Sequence, residues 1–184
     1  MTSPLAIAVA VVLLSFSGAA RADQNDVQLN SLFQRLRATN DFSEAMAIEQ
    51  TIWAIWRQRD NAEIDAQMSL GIKTMNNGAL KLSLKAFDDI VRRDPEYAEG
   101  WNKRATVHYL MGNFDASVQD ISKTLALEPR HFGALSGMGL IYSAIGKAAA
   151  AIKVWEKALT INPHMLGIKA LADELRNKIK GETT

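Results

Sequence analysis

A chain of 184 residues is long enough for one domain with its own core, and its 48% apolar residues supply the material for one. Lysine and arginine (21) balance aspartate and glutamate (20), and no basic run occurs, so the electrostatic footprint of a nucleic-acid binder is absent. There is no cysteine, which excludes disulfides, thiolate metal sites and a thiol nucleophile.

Residues 1–20 carry no charged side chain, and Leu5 to Leu14 is an unbroken apolar run. Small residues follow and end in Ala20-Arg21-Ala22, an A-x-A site. This pattern predicts a secretory signal peptide over 1–22, cleaved after Ala22, and a periplasmic mature protein. The n-region lacks Lys and Arg, and an uncleaved anchor is the alternative. The apolar run is short for a span of about 20 residues. Cleavage removes Arg21 and no acid, leaving a mature chain of zero formal charge. Such a chain has little long-range attraction to phosphate or anionic lipid.

Residues 23–61 read as a helical hairpin. Leu29, Leu32, Phe33 and Leu36 form one i, i+3, i+4, i+7 stripe, and Ala45, Ile48, Ile52, Ile55 and Trp56 form a second. Asn40-Asp41 is the turn, and Asp41 or Ser43 suits an N-cap. Trp56 faces inward. Trp53 lies on another side and either covers the next element or is exposed. Arg59–Asn61 is the joint before the next unit.

From there the chain repeats. Pro95, Pro129 and Pro163 are spaced by 34 residues, and so are Gly78, Gly112 and Gly146. Two sets of helix breakers sharing one period define repeats over 64–97, 98–131 and 132–165. With each Pro at register position 32, position 4 holds Gln67, Trp101 and Leu135. Position 8 holds Gly71, Ala105 and Gly139, and position 20 holds Ser83, Ser117 and Ala151. These small residues allow two helices to cross closely. Position 11 holds Thr74, His108 and Tyr142, position 24 holds Phe87, Ile121 and Trp155, and position 27 holds Ile90, Thr124 and Ala158. The glycines at position 15 supply a left-handed C-terminal residue, and the prolines stop the second helix.

This set resembles the tetratricopeptide-repeat (TPR) family, and the third repeat fits best. The second departs at Arg104 and Thr124, the first at Gln67 and Thr74. The resemblance implies an all-α, right-handed superhelical solenoid. Aligned to it, the hairpin places the large Phe33 at position 8, so 23–61 is expected to be a degenerate repeat or a capping hairpin. Residues 166–184 complete the chain as a capping helix and a tail frayed over 181–184.

No catalytic constellation is present. His108 occupies a core position; His131 and His164 follow inter-repeat prolines with no Asp, Glu or Cys at metal-ligand spacing. Asp88 and Asp89, with Arg92 and Arg93 one turn on, read as a solvated face. No cofactor and no metal are expected.

In a TPR array the first helix of each repeat lines the concave face. The resemblance therefore implies a partner groove containing Met68, Ile72 and Met75 from the first repeat. The second contributes Asn102, Lys103, Thr106, Tyr109 and Leu110, and the third Ser136 and Leu140. Asn102 suits a partner backbone and Lys103 a partner acid. The carboxylate clamp of chaperone-binding TPR domains is missing, since its positions hold Met68, Ile72, Lys103, Gly133 and Gly137. The expected function is a non-enzymatic periplasmic adaptor that binds a protein or peptide during envelope assembly. Self-association through terminal helices is left open. The alternative is a carrier of a small molecule or metal, using His108, Tyr109, Tyr142 and the gap at Gly133, Gly137 and Gly139.

Overall fold

The computed structural model describes residues 23–182. The expected signal segment, 1–22, lies outside the described residues. Among those described there are nine α-helices and no strand: α1 (Gln28–Ala38), α2 (Phe42–Arg57), α3 (Ala62–Asn76), α4 (Leu80–Arg93), α5 (Ala98–Leu110), α6 (Phe114–Leu127), α7 (Phe132–Ala144), α8 (Ala148–Ile161) and α9 (Leu166–Glu182). Helix α9 runs past Gly181, where fraying was expected.

Three helix pairs, α3–α4, α5–α6 and α7–α8, stack in order, and α9 closes the far end on α8. Each pair turns at a glycine. Gly78, Gly112 and Gly146 have φ of 75°, 77° and 76°, a region costly for residues with a Cβ. The next amide then reaches back to close the helix. Ala79 N donates to Thr74 O (2.9 Å), Asn113 N to His108 O (2.8 Å) and Lys147 N to Tyr142 O (2.8 Å).

Close crossing within each pair explains the small residues. A Cβ on Gly71 would lie 2.6 Å from the Phe87 ring, and one on Gly139 would lie 2.2 Å from the Trp155 indole. The facing serines also serve a polar purpose. Ser83 Oγ donates to Gly71 O and Ser117 Oγ to Ala105 O, both at 2.8 Å. Each buried hydroxyl is thereby satisfied.

The N-terminal hairpin departs from the expected stacking. Helix α2 does not pack along α3 as α4 packs along α5. Phe33 is too bulky for a close crossing of α1 and α2. The hairpin instead closes its apolar face (Leu29, Leu32, Phe33, Leu36, Ile48, Ile52) over Phe132, Leu135, Ala158 and Ile161 of the third repeat. Asp41 caps α2, accepting from Ser43 N and Glu44 N.

The hairpin lies along the row of inter-repeat turns and is tied to each. At the first turn, Arg59 pairs with Asp94 and Asp23, and Gln24 Nε2 donates to Glu96 O at 2.6 Å. At the second, Arg130 Nη1 donates to Asn30 Oδ1 (2.7 Å), and Trp56 stacks on His131 with ring centroids 4.1 Å apart. At the third, Asn162 Nδ2 donates to Glu49 Oε2 (2.9 Å) and His164 Nε2 to Leu36 O (3.0 Å). One strap therefore bridges turns 34 residues apart in sequence.

Candidate partner-binding cleft

Helices α5 and α7, each the first of its repeat, stand side by side. A cleft of about 280 Å³ opens between them. Its walls include Thr106, Tyr109 and Leu110 from α5 and Gly133, Ser136, Gly137 and Leu140 from α7, and no charged side chain lines it. Gly137 borders it with room to spare, since a Cβ there would meet only Ile121 Cδ1, at 3.7 Å. Trp53 closes one end. A Cβ on Gly133 would lie 2.5 Å from its Cη2. Trp53 thus covers the third repeat, which neither sequence alternative anticipated.

Of the ten expected groove residues, Asn102, Thr106, Tyr109, Leu110, Ser136 and Leu140 line this cleft. Met68 does not face an open groove. It is buried with Ile64, Phe87, Ile90 and Tyr97, and Ile72 and Met75 pack half-buried against the same cluster. Asn102 and Lys103 also differ from expectation, because both are already engaged within the chain. Asn102 Nδ2 donates to Glu99 Oε2 (2.8 Å), and Lys103 Nζ lies 3.1 Å from Glu99 Oε1. The Lys103 ammonium also stands 5.3 Å from the Trp53 ring centroid, a cation–π contact.

Glu99 is the centre of this cluster. Its carboxylate is fully buried, and so is the imidazole of His131, whose Nε2 donates to Glu99 Oε2 at 3.0 Å. The other ring nitrogen, Nδ1, accepts from Ala134 N (3.1 Å) at the start of α7, which fixes the tautomer. Burial opposes ionisation of Glu99. The Lys103 ammonium, followed by the His131 and Asn102 donors, outweighs burial and holds the carboxyl at about 2, well below the usual carboxylate range. On Tyr97 burial likewise opposes ionisation and here it prevails: the phenol is pushed up, with Glu99 adding to the effect. The i, i+4 spacing of Glu99 and Lys103 was visible in the sequence. Their convergence with His131 depends on a fold-level contact between repeats.

The remaining candidates serve structure. His108 Nε2 is 3.9 Å from Asp120, which pairs with Arg104 (2.7 Å). Arg104 also reaches Asp88 (2.9 Å), Asp89 pairs with Arg92, and Arg93 reaches Glu63 (2.6 Å). Of the residues named for a carrier, Tyr109, Gly133 and Gly137 line the cleft, but His108, Tyr142 and Gly139 do not join them. Tyr142 packs with Ala151, Trp155 and Ala172, Gly139 is covered by Trp155, and His108 lies outside the cleft. Among the described residues no three His, Asp or Glu side chains gather as a metal site. None of the described helices is long and apolar enough to cross a membrane.

The family model described as tetratricopeptide repeat matches residues 133–165. A TPR repeat-containing protein of Rhizobium etli is 35% identical over 157 residues, covering 85% of this chain and 77% of that one. DnaJ homolog subfamily C member 3 of Mus musculus is 31% identical over 103 residues, which cover 56% of this chain but only 20% of that longer protein. Among solved structures, the TPR2B domain of yeast Sti1 in complex with pHsp70 superposes with a TM-score of 0.58 at 18% identity. That match covers 66% of this chain and 99% of the domain. The glycine-closed helix pairs, their small crossing residues and the relationship to the Rhizobium protein together establish that this chain belongs to the tetratricopeptide-repeat family.

Proposed function

We propose that this protein is a non-enzymatic adaptor that holds a segment of another protein in the α5–α7 cleft. We place it in the periplasm, exported by residues 1–22, in an envelope assembly process. The yeast Sti1 domain, of the same fold, is seen in a complex with pHsp70. The observation that carries the reading is the cleft itself: mostly apolar, free of charged side chains and bordered by Gly137 of α7. Sites that enclose a whole drug-sized ligand run from about 300 to 1,000 Å³. This one is open to solvent rather than enclosed, which suits side chains of a polypeptide better than a sequestered small molecule. The periplasmic placement rests on the apolar run and the A-x-A site.

Gly137→Leu fills the cleft without disturbing the helix crossing, since nothing crowds a Cβ there. Affinity capture from a periplasmic extract with wild-type and Gly137→Leu baits tests the reading. A protein retained by the wild type and lost by an equally stable variant supports it. Equal retention by both contradicts it.

A further inference from the structure

Beside the cleft, beyond the Trp53–Gly133 contact, lies a second hollow of about 240 Å³ lined by Gln50, Trp53, Arg57 and Lys103. Its lining carries two cations and no anion. Lys103 is paired with the buried Glu99 carboxylate, its Nζ 3.1 Å from Oε1. Arg57 is exposed, and its Nε donates to Trp53 O (3.0 Å). The guanidinium is thereby held at the backbone of the residue that carries the indole. Three of its lining residues, Gln50, Trp53 and Arg57, come from α2, outside the three repeats, and Lys103 comes from α5 of the second repeat.

Two complementary features thus adjoin, separated by one indole: an uncharged apolar cleft and a cationic notch. Resting on the cleft reading above, we propose that the partner segment carries a bulky uncharged side chain, aliphatic or aromatic, that enters the α5–α7 cleft. A carboxylate a few residues away then lies at Arg57 and Lys103. An apolar anchor in a desolvated pocket supplies most of the affinity. The carboxylate sets orientation and rejects basic sequences by like-charge repulsion. Guanidinium is the better carboxylate partner of the two cations because its planar fork donates to two oxygens at once. The hairpin thereby acts in recognition as well as in bridging the turns.

The test is selection of a random dodecapeptide library displayed on phage against the chain from residue 23 onward. Enriched peptides are then synthesised and titrated by fluorescence anisotropy against wild type, Arg57→Glu and Gly137→Leu. The expected result is enrichment of an acidic residue within a few positions of Leu, Ile, Phe or Trp. Binding should be about tenfold weaker with Arg57→Glu, more so at low salt, and lost with Gly137→Leu. Peptides that need the open cleft but carry no acid, or that ignore Arg57→Glu, overturn this inference and leave the cleft reading standing. No enrichment, or peptides indifferent to Gly137→Leu, overturns both.

Discussion

Trp53 of α2 stands edge-on against Gly133 of α7, so close that a Cβ on Gly133 would fall 2.5 Å from Trp53 Cη2. The contact joins an element outside the repeats to the first turn of the third repeat. Gly137, one turn further along α7, has room for a Cβ, which would make only an ordinary contact with Ile121 Cδ1 at 3.7 Å. The two glycines should therefore respond oppositely to the same change. Gly133→Ala must displace the indole and should cost about 1–3 kcal/mol. Gly137→Ala should be neutral or stabilise by up to about 1 kcal/mol through helix propensity. Urea denaturation of both variants checks the pair, and similar midpoints would contradict the packing of α2 on α7.

The buried carboxylate predicts an acid-sensitive fold. Glu99 has a folded-state pKa of about 2 against an ordinary value of 4.5. A depressed carboxyl contributes stability that is fully present above its unfolded pKa and is lost as pH falls through the folded one. Stability should thus decline from about pH 4.5 towards pH 2. In Glu99→Gln the decline over that window should be shallower, because the amide keeps an acceptor for His131 without the charge. Thermal unfolding of both proteins across the window checks this.

Removing Arg59 should free the hairpin before it unfolds the repeats. Its guanidinium is nearly buried between Asp94 and Asp23, and taking away one partner of a buried ion pair costs about 3–5 kcal/mol. In Arg59→Ala, limited proteolysis should cut first within the linker 58–61, while far-UV circular dichroism keeps most of its helical signal. A variant as protease-resistant as wild type would show that the turn contacts, not Arg59, hold the strap.

Gly139→Leu tests the helix crossing in the third repeat. The Trp155 indole already occupies the place of its Cβ, 2.2 Å away. The expected loss is about 3 kcal/mol or more, read as a lower melting temperature. An unchanged melting temperature would contradict the register of the repeat.

The repeats were legible in the sequence because their determinants are local. Gly112 needs a left-handed backbone, and Pro129 breaks a helix, whatever surrounds them. The small residues at 71, 105 and 139 report a crossing twelve residues away in the same hairpin. The N-terminal strap was not legible. Its apolar stripes correctly marked two helices, but Phe132 and Ile161 have the same composition as any repeat core, so nothing local indicates that Leu29 and Ile52 pack on them. The groove divided in the same way. Thr106, Tyr109 and Leu140 follow from register alone, whereas the engagement of Asn102 and Lys103 depends on Glu99 meeting His131 across a repeat boundary.

A partner protein held in the α5–α7 cleft should be open to covalent capture there. Site-specific photo-crosslinking in the native host tests it most directly, with a photoreactive amino acid in place of Leu140, which lines the cleft, or of Leu82, which is exposed on α4. The account predicts a protein adduct from position 140 that disappears when Gly137→Leu is added, and none from position 82. An adduct from 82 alone, or one from 140 that survives Gly137→Leu, would contradict it.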